Sequence, residues 1–485
     1  MMKQILSENG INFNDLEKEI FKIACKNARE TMVEVLESID ENLQINRDKK
    51  VYRHKGKRIT TIKTIMGEVE FKRTIYETKN DLGEKAYIYL LDEVIGLETF
   101  GKVSTNLAFK IAEHASISSF RNSAHNISST TGQSISHGGV WNVIQSLGEK
   151  LKEIEDNDTN AAANGHITGT KETKILFEEA DGVWINMQGK DRPRKGRRSE
   201  LKVAVAYDGW ELESKNRYRL RNKVAVAGFD NSRDFQKRKE GAIAKVFNTD
   251  EVEIRILNGD GGGWIKGGLI DETVHFQLDP FHLNRDIVKK VRDKTQKNNI
   301  MLLLKGKKVD DALEYINELA VQTTDYKEKE RLTELYNYLY NNKEGLIPYQ
   351  QRGLDIPPPP VGVEYRNLGT MEHQICDIIA QRMKNIKGSW SKSGAEKLSK
   401  ILTVKATNGL YEKISGISVI ILPEIYTGEV QEILSAAKAP KKDGKGYRYP
   451  RTGGMPFVGS SVTNGRRAIL KYVELSLTGS GNPLL

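Results

Sequence analysis

The stretch KILFEEADGVWINM, residues 174–187, decides the fold of this 485-residue chain. Its apolar and β-branched residues predict a strand, yet three acids lie inside it. Two of them, Glu179 and Asp181, are two positions apart. Because side chains alternate across a strand, both acids share one face with Val183. A carboxylate that points toward a buried face is costly unless a partner such as a metal ion compensates it. The stretch therefore predicts a core strand that carries a site.

Strands and helices alternate after this stretch. The strand-like runs are residues 201–212, 223–229, 252–260 and 274–279, and the helix-like runs are 231–247, 263–270 and the segment from Pro280 onward. This order of three strands, helix, strand, helix, strand and helix predicts a mixed sheet with helices on its faces. Asp260 follows the fourth strand between Gly259 and Gly261, and strand ends of such sheets are where sites form.

Upstream, the sequence predicts helices and a basic hairpin. Residues 1 to about 45 carry apolar residues at helical spacing, and residues 85–150 are predicted to be helical again. Arg47–Arg73 is rich in lysine, arginine and threonine and predicts two strands that are joined at Met66–Gly67. Such a basic ribbon is suited either to contacting phosphates or to forming a solvated hairpin face.

Residues 127–151 predict a short helix, a turn at Gly132, and a second helix with Ser134 or Ser136 as its N-cap. This is the shape of a helix-turn-helix, although any helical hairpin gives the same pattern. His137 would face DNA in the first interpretation and would be an ordinary surface residue in the second.

Four further segments organise the rest of the chain. The small, polar residues 155–170 predict a linker, and residues 295–350 predict charge-rich helices. The segment DIPPPPVGV at 355–363 predicts a stiff, extended connector. A further helix is predicted at about 370–386, with Glu372 in its first turn. From about residue 425 the chain is basic and glycine-rich, with Tyr447 and Tyr449 among the cations. That composition fits either a mobile arm or a solvated tail.

Composition limits the class of protein. The apolar fraction of 38% and the charged fraction of 29% exclude a wholly disordered chain, a fibrous repeat and a disulfide scaffold. The two cysteines, Cys25 and Cys376, fit no metal or redox spacing and suit a reducing cytoplasm. The start is polar, unlike a signal peptide, and no apolar run is long enough to span a membrane. The net charge of +10 suggests a polyanionic partner or simply a basic protein.

Three acids stand out by their surroundings: Asp181, Asp260 and Glu372. Carboxylates that converge on one point suit Mg²⁺ or Mn²⁺, and a pair of such ions catalyses phosphodiester chemistry. The chain has 65 acids, and an Asp-Gly after a strand is commonly only a turn. Glu179 is the nearest competitor of Asp181, and Asp377 is the nearest competitor of Glu372.

Several local sequences resemble the bacterial ISLre-type insertion-sequence transposases, which lie near the Mutator-like transposases. The matching segments are EADGVWI (179–185), NGDGGGWI (258–265), LDPFHLNRDI (278–287), GTMEHQICDIIAQRMK (369–384) and GSWSKSGAEKL (388–398). The resemblance covers about residues 45–400, and the motifs are specific together although each alone is weak.

This resemblance implies an α+β multidomain fold. Its catalytic domain would be an RNase H-like mixed β-sheet with a helical insertion, preceded by a mostly helical DNA-binding region that contains a β-hairpin. The implied divisions are 1–155 for DNA binding, 170–295 for the catalytic core, 296–365 for the helical insertion, 366–425 for the rest of the core, and 426–485 for a basic arm.

The resemblance also implies the roles of individual residues. Asp181, Asp260 and Glu372 would bind metal, and His282 would lie near the scissile phosphate or orient a catalytic group. His282 follows Asp279 as in the [Cys/Asp]-x-x-His motif of Mutator-like enzymes. Alternatively, His282 is a histidine at a helix start that is hydrogen-bonded to Asp279. Asp279 could also replace a metal ligand if one of the three acids is wrongly assigned. Trp390 would stack on a base at the transposon end, or pack in the core.

The activity expected from the resemblance is that of a DDE transposase, with two Mg²⁺ or Mn²⁺ ions as cofactors. Its partners would be the terminal inverted repeats and target DNA, and it would act as a dimer or larger assembly, in the cytoplasm at the nucleoid, with no membrane partner. A basic loop after the first strand would hold phosphates beside the cleft, or would be a solvated hairpin tip. The cations of this loop are Lys190, Arg192, Arg194, Lys195, Arg197 and Arg198. The alternatives are an RNase H-like nuclease without strand transfer, a non-enzymatic DNA-binding protein and, remotely, a glycosidase.

Overall fold

A computed structural model describes residues 12–97, 100–386, 388–417 and 424–438 of the chain. The strands are β1 (Arg53–Thr64), β2 (Gly67–Lys79), β3 (Lys85–Ile88), β4 (Ile175–Asn186), β5 (Arg198–Tyr207), β6 (Trp210–Ser214), β7 (Arg217–Leu220), β8 (Val224–Gly228), β9 (Ile254–Gly259), β10 (Val274–Leu278) and β11 (Val363–Glu364). The fold is α+β with a mixed central sheet, as predicted.

Helices surround these strands. They are α1 (Phe13–Asn46), α2 (Leu90–Ile95), α3 (Thr105–Ala115), α4 (Phe120–Thr130), α5 (His137–Ala163), α6 (Ser232–Val246), α7 (Gly263–Lys266), α8 (Pro280–Lys290), α9 (Lys294–Lys305), α10 (Val309–Gln322), α11 (Tyr326–Asn341), α12 (Met371–Ile375), α13 (Gln381–Met383), α14 (Lys392–Ala406), α15 (Leu410–Ile417) and α16 (Glu424–Lys438). A π-helical stretch, Cys376–Ala380, joins α12 to α13. In the described part of the chain, no helix has the length and apolar character needed to cross a membrane.

The central sheet has the order β10-β9-β4-β5-β8. β4, β5 and β8 pair antiparallel, whereas β4, β9 and β10 pair parallel. Residues on both faces of β4 are buried, which explains its nearly continuous apolar sequence. The stretch that decides the fold is thus the central strand of the sheet.

Helices cover both faces of this sheet. On the face of Phe177, Val183 and Ile185, the core includes buried residues of α3–α5 and of the segments from α12 to α15. On the opposite face, Ala180 and Leu257 pack with α6 and with α8–α11, the helical insertion. The helices α3–α5 therefore share a hydrophobic core with the sheet, whereas α1 and α2 pack with β2 in a separate core.

Three local expectations were wrong. The predicted single strand at 201–212 is interrupted by Asp208 and Gly209, and Gly209 has a φ of +138°, which a side chain disfavours. The chain then forms the β6–β7 hairpin, which pairs with β11. The predicted linker at 155–170 is helical as far as Ala163, because α5 continues through it. Strand β3 lies in a region that was predicted to be helical.

The upstream hairpin and helix pair agree with the sequence. β1 and β2 pair antiparallel around the turn at Met66. Four hairpin cations form ion pairs with acids, which favours a solvated hairpin face: Lys55 with Glu77, Lys57 with Glu41, Lys63 with Glu68, and Arg73 with Asp92. α4 and α5 form the predicted helix pair, and Ser136 is the N-cap, accepting from the amide of Gly139 at 3.1 Å. The predicted basic arm at 426–485 is helical as far as Lys438, in α16, and its remainder, with Tyr447 and Tyr449, lies outside the described residues.

Candidate active site

A cavity of about 280 Å³ opens in the central sheet where β9 ends. Pairing between β4 and β9 stops at Ala180 and Gly259, while β4 continues beside β5 as far as Asn186. Asp181 is therefore the first residue of β4 beyond its parallel neighbour. Eleven residues line the cavity: Asp181, Gly182, Val183, Trp184, Glu200, Asp260, His282, Arg285, Glu372, Ile375 and Lys384.

Backbone amides hold two of the cavity acids. The amide of Gly182 donates to Asp181 Oδ1 at 2.7 Å, and the amide of Gly262 donates to Asp260 Oδ1 at 2.8 Å. Tyr338 of α11 donates its hydroxyl to the backbone carbonyl of Asp260 at 3.0 Å. The helical insertion is thereby attached directly to the strand end that carries Asp260.

Glu372, the second residue of α12, completes the set of predicted acids in the cavity. Its side chain is 45% exposed, so it is open to solvent and to a ligand. Asp181, His282 and Glu372 each offer one ligand atom, and these atoms lie within 4.8 Å of one another. This group could hold a metal ion. Asp260 lines the same cavity but is outside that group.

The hydrogen bonds of His282 indicate where its proton lies. Nε2 is 3.2 Å from Asp181 Oδ2 and 4.0 Å from Glu372 Oε1, while Nδ1 is 2.8 Å from Arg285 Nη2. A guanidinium can only donate, so Nδ1 accepts and the neutral ring carries its proton on Nε2. Burial lowers the pKa of His282, but the hydrogen bond and charge of Asp181 outweigh it and leave the pKa raised. In this arrangement Nε2 donates to Asp181, so the carboxylate oxygens are the atoms of this group that could bind a metal ion.

Glu179, the competitor of Asp181, has a structural environment. It is 0% exposed, and burial raises its pKa. Its carboxylate accepts five hydrogen bonds, from the Tyr207 hydroxyl, Asn258 Nδ2, the amides of Gly369 and Thr370, and the Thr370 hydroxyl. These bonds fix the loop from which α12 starts, so Glu179 positions Glu372 without lining the cavity.

The other two alternatives are also engaged elsewhere. Asp279 caps α8: its Oδ1 accepts from amides of the first turn, and its Oδ2 accepts from Asn258 Nδ2 at 2.8 Å. Asp377 Oδ2 lies 3.0 Å from His373 Nε2, and Asp377 lines a different cavity. The structure therefore brings Asp181, Asp260 and Glu372 together and leaves these alternatives outside.

The uncharacterised protein family UPF0236 matches residues 6–415 of this chain. The chain belongs to this family. A UPF0236 protein of Caldanaerobacter subterraneus subsp. tengcongensis, whose name joins eleven designations, is 25% identical over 414 residues, which are 83% of this chain and 80% of that protein. The UPF0236 protein in the vanSb 3' region of Streptococcus gallolyticus is 25% identical over 411 residues, covering 83% and 84%.

Among solved structures, a chain of the Drosophila P element transposase strand transfer complex is similar to this UPF0236 chain. The sequence identity is 10%, the alignment covers 68% of this chain and 84% of that chain, and the TM-score is 0.19. At this TM-score the likeness does not establish a common fold.

Trp390 of this UPF0236 chain is not at the cavity surface. It is 5% exposed, its Nε1 donates to the carbonyl of Met383 at 2.9 Å, and its ring packs edge-on against Phe120. Stacking on a base needs an exposed ring face, so the structure favours the core-packing alternative for this tryptophan. His137 is exposed at the first residue of α5 and does not line the cavity.

The predicted basic loop connects β4 to β5 at the cavity end of the hairpin. Its six cations are all exposed, and in the described part of the chain none of them forms an ion pair with a carboxylate: Lys190, Arg192, Arg194, Lys195, Arg197 and Arg198. Asp191 Oδ2 accepts from the amide of Lys392 at 2.9 Å, which anchors one end of the loop.

Sequence reasoning missed four residues that line the cavity: Trp184, Glu200, Arg285 and Lys384. Arg285 could have been found, because residues three apart on a helix are neighbours and it follows His282 at that spacing. Trp184 is 52% exposed, although it lies in an apolar strand. Its exposure follows from the early end of β9, which no local pattern reports.

Proposed function

We propose that this protein is a DDE-type transposase that cleaves transposon DNA ends and joins the 3′-OH to target DNA by metal-dependent phosphoryl transfer. The observation that carries the proposal is the meeting of Asp181, Asp260 and Glu372, from three separate segments, at one cavity. Acids that converge at the end of a strand in a mixed sheet suit divalent cations and a phosphodiester.

The sheet supports this proposal. Numbered within the sheet, its strands stand in the order fifth, fourth, first, second and third, with the first three antiparallel. The first acid lies on the first strand and the second acid follows the fourth, which agrees with the RNase H-like layout implied by the sequence resemblance. The helical segment α9–α11 lies between the second acid and Glu372, as in DDE transposases that carry an insertion.

The donor set fits Mg²⁺ or Mn²⁺. Asp181, Asp260 and Glu372 supply oxygen ligands, which hard divalent cations prefer. When bound, such ions stabilise the charge that develops on the attacking and leaving oxygens. Arg285 and Lys384 add positive charge to the cavity wall and can bind non-bridging phosphate oxygens.

His282 is suited to hold a proton at the reacting group. Its Nε2–H points at Asp181, and Arg285 fixes the ring orientation from the other side. From this position the imidazole can donate to a phosphate oxygen once the substrate displaces part of its contact with Asp181. Arg285 is therefore a positioning residue for His282.

DNA is the proposed partner. The six exposed loop cations follow the strand of Asp181, and phosphates are bound chiefly by such side chains. The eleven designations joined in the name of one relative are expected of a sequence that is present in several copies. A dimer or larger assembly would bring two active sites to two DNA ends.

A cleavage and joining assay tests the proposal. The purified chain is incubated with a duplex that carries the sequences flanking its gene, with Mg²⁺ or with EDTA. Asp260→Asn and Glu372→Gln should each lower the rate at least about a hundredfold, because they remove ligands worth several kcal/mol to the transition state. Glu314→Gln, an exposed acid on α10, is the matched control and should retain full activity.

The products separate the alternatives. End-specific nicks and joined strands that need both Mg²⁺ and Asp260 support a transposase. Metal-dependent nicks without joining indicate an RNase H-like nuclease. DNA binding with no metal-dependent cleavage, equal in wild type and both variants, would contradict the enzymatic proposal and favour a DNA-binding protein.

A further inference from the structure

A second cavity of about 280 Å³ lies outside the candidate active site. Its walls come from the end of α3, the residue that precedes β8, the segment Asp377–Arg382 and the end of α14. Three of its lining residues are cations, Lys223, Arg382 and Lys405, and the single acid among them is Asp377. This is an unusual surplus of positive charge for a partly enclosed space.

The hydrogen-bond partners of the three cations are neutral. Lys223 Nζ donates to Gln374 Oε1 at 3.2 Å, and Lys405 Nζ donates to Ser116 Oγ at 2.7 Å. Arg382 Nε donates to the carbonyl of Ala115. No ion pair with a carboxylate involves any of these cations in the described residues.

The acids nearby form no ion pair with the three cations. The carboxylate of Asp377 accepts from Gln381 Nε2 at 3.2 Å and lies 3.0 Å from His373 Nε2. The charge of Asp377 acts on Lys223 and that of Glu113 acts on Lys405, but neither acid forms an ion pair with its lysine. Glu113 is exposed and does not line the cavity.

Burial makes this arrangement costly. Arg382 is only 4% exposed, and its Nη2 is buried with no hydrogen-bond partner in the described part of the chain. Burial lowers the pKa of Lys223 and of Lys405, and it lowers the pKa of Arg382 to about 10. The guanidinium of Arg382 also lies over the rings of Phe120 and Trp390, at 4.9 and 5.1 Å from their centroids, but these rings carry no net charge. A buried cation without an anionic partner is normally compensated by an anion.

The end of α3 accounts for part of the positive charge. Ala115 and Ser116 are its last residue and its C-cap, and cations are favourable at a helix C-terminus. That end carries roughly half a negative charge, which is far less than three cations. It also leaves Nη2 of Arg382 without an acceptor.

We infer that this cavity is a binding site for a phosphate group, held by Lys223, Arg382 and Lys405. Its volume of about 280 Å³ greatly exceeds the roughly 10–15 Å³ that one water molecule needs. A phosphate offers several strong acceptor oxygens and negative charge, which match the ammonium groups of Lys223 and Lys405 and the positive charge of Arg382. The phosphate can be a free anion or part of a DNA backbone, and only the second source rests on the proposed function.

The site is coupled to the candidate active site through one helical segment. Gln374, which accepts from Lys223, is two residues after Glu372, and Asp377 and Arg382 follow on the same segment. A phosphate held there would fix the helix that presents Glu372 to the cavity.

Two measurements on the full chain test the inference. In a thermal unfolding experiment without DNA or divalent metal, inorganic phosphate is compared with chloride at equal ionic strength. Binding to the folded state should raise the Tm of wild type by about 2–4 °C. The double variant Lys223→Gln/Lys405→Gln should lose that rise, and Lys223→Arg/Lys405→Arg should retain it. Lys413→Gln, a half-buried lysine that lines another cavity, is the matched control.

The second measurement uses duplex DNA in EDTA and identifies the source of the phosphate. If the double glutamine variant binds DNA more weakly than wild type and the control does not, the site holds a backbone phosphate. If the variant loses the thermal response to phosphate but binds DNA as wild type does, the site holds a free phosphate. A double glutamine variant equal to wild type in both experiments overturns the inference. The thermal measurement needs neither cleavage nor DNA, so its outcome does not depend on the transposase proposal.

Discussion

Glu179 accepts five hydrogen bonds, whereas Asp181, two residues further along the same face of β4, accepts from Gly182 and from His282. The difference arises from their neighbours. β9 still pairs beside Glu179, and Asn258 of that strand reaches its carboxylate, but β9 has ended beside Asp181. A carboxylate surrounded by donors is committed to the protein, and one at an open strand edge is available to a ligand.

Glu179→Gln tests this assignment. The glutamine keeps the volume but replaces an acceptor oxygen with a donor that faces other donors, so at least two buried groups lose their partner. We expect a loss of about 2–4 kcal/mol in the free energy of unfolding, measured by urea denaturation. Glu253→Gln, an exposed acid paired only with Lys174, should change it by less than about 0.5 kcal/mol. Equal loss in both variants would show that Glu179 has no special role.

The three predicted acids were found from their surroundings in the sequence. Asp181 interrupts an apolar strand, Asp260 follows one, and Glu372 starts a helix, and each of these signals is local. The sequence pattern left Glu179 open as an alternative, and the family resemblance favoured Asp181. The structural difference between the two acids lies in the length of β9, which belongs to a different segment. The sequence left base stacking and core packing both open for Trp390, because the burial of this residue depends on Phe120, which lies 270 positions away in the sequence.

At the scale of elements, the strands of the central sheet were predictable because both faces are buried and the sequence is continuously apolar. The extent of α5 was not. Residues 155–163 are small and polar, which is typical of a linker, but α5 packs there against α6, and contacts such as Arg238 with Glu155 and Asp156 keep the chain helical. Tertiary packing thus overrides a weak local preference.

Gly148 sets the distance between α5 and α14. A Cβ at this position would lie 2.5 Å from the backbone carbonyl of Lys397, so the two helices must separate to admit it. Gly148→Ala should lower the free energy of unfolding by about 1–3 kcal/mol, although alanine favours a helix. Gly138→Ala, near the exposed start of the same helix, would meet only Ser136 Oγ at 3.8 Å and should be neutral or slightly stabilising. Calorimetric unfolding of both variants measures these changes in stability. A Gly148→Ala variant that is more stable than wild type would contradict the close packing of α5 against α14.

At the scale of the whole molecule, one hydrophobic core joins α3–α5 to the sheet and to the helices around Glu372, whereas α1, α2 and β2 form a separate core. The helices α3–α5, which share a core with the central sheet, are not a separate module on a flexible linker. DNA that contacts α4 and α5 would therefore be held in a fixed relation to the cavity, since these helices and the sheet belong to one packed body.

The chain has a net charge of +10, and six of its basic residues are concentrated in the loop between β4 and β5. These six cations have no acidic partner in the described residues, so they are free to replace the counterions that DNA releases on binding. Four exposed lysines of the helical insertion provide a surface of similar charge: Lys289, Lys294, Lys305 and Lys327. The two sets differ in position, because only the loop follows the strand that carries Asp181.

Neutralising four loop cations should therefore make DNA binding less dependent on salt. With Arg192, Arg194, Lys195 and Arg197 replaced by glutamine, the slope of log K against log salt should become shallower by about 0.9 for each phosphate that the variant no longer neutralises. Fluorescence anisotropy with a labelled duplex in EDTA, at several salt concentrations, gives this slope. Glutamine at the four insertion lysines is the charge-matched control. If both sets reduce the slope equally, the loop binds no phosphate of its own and the effect is one of net charge, which would remove the loop from the proposed DNA path.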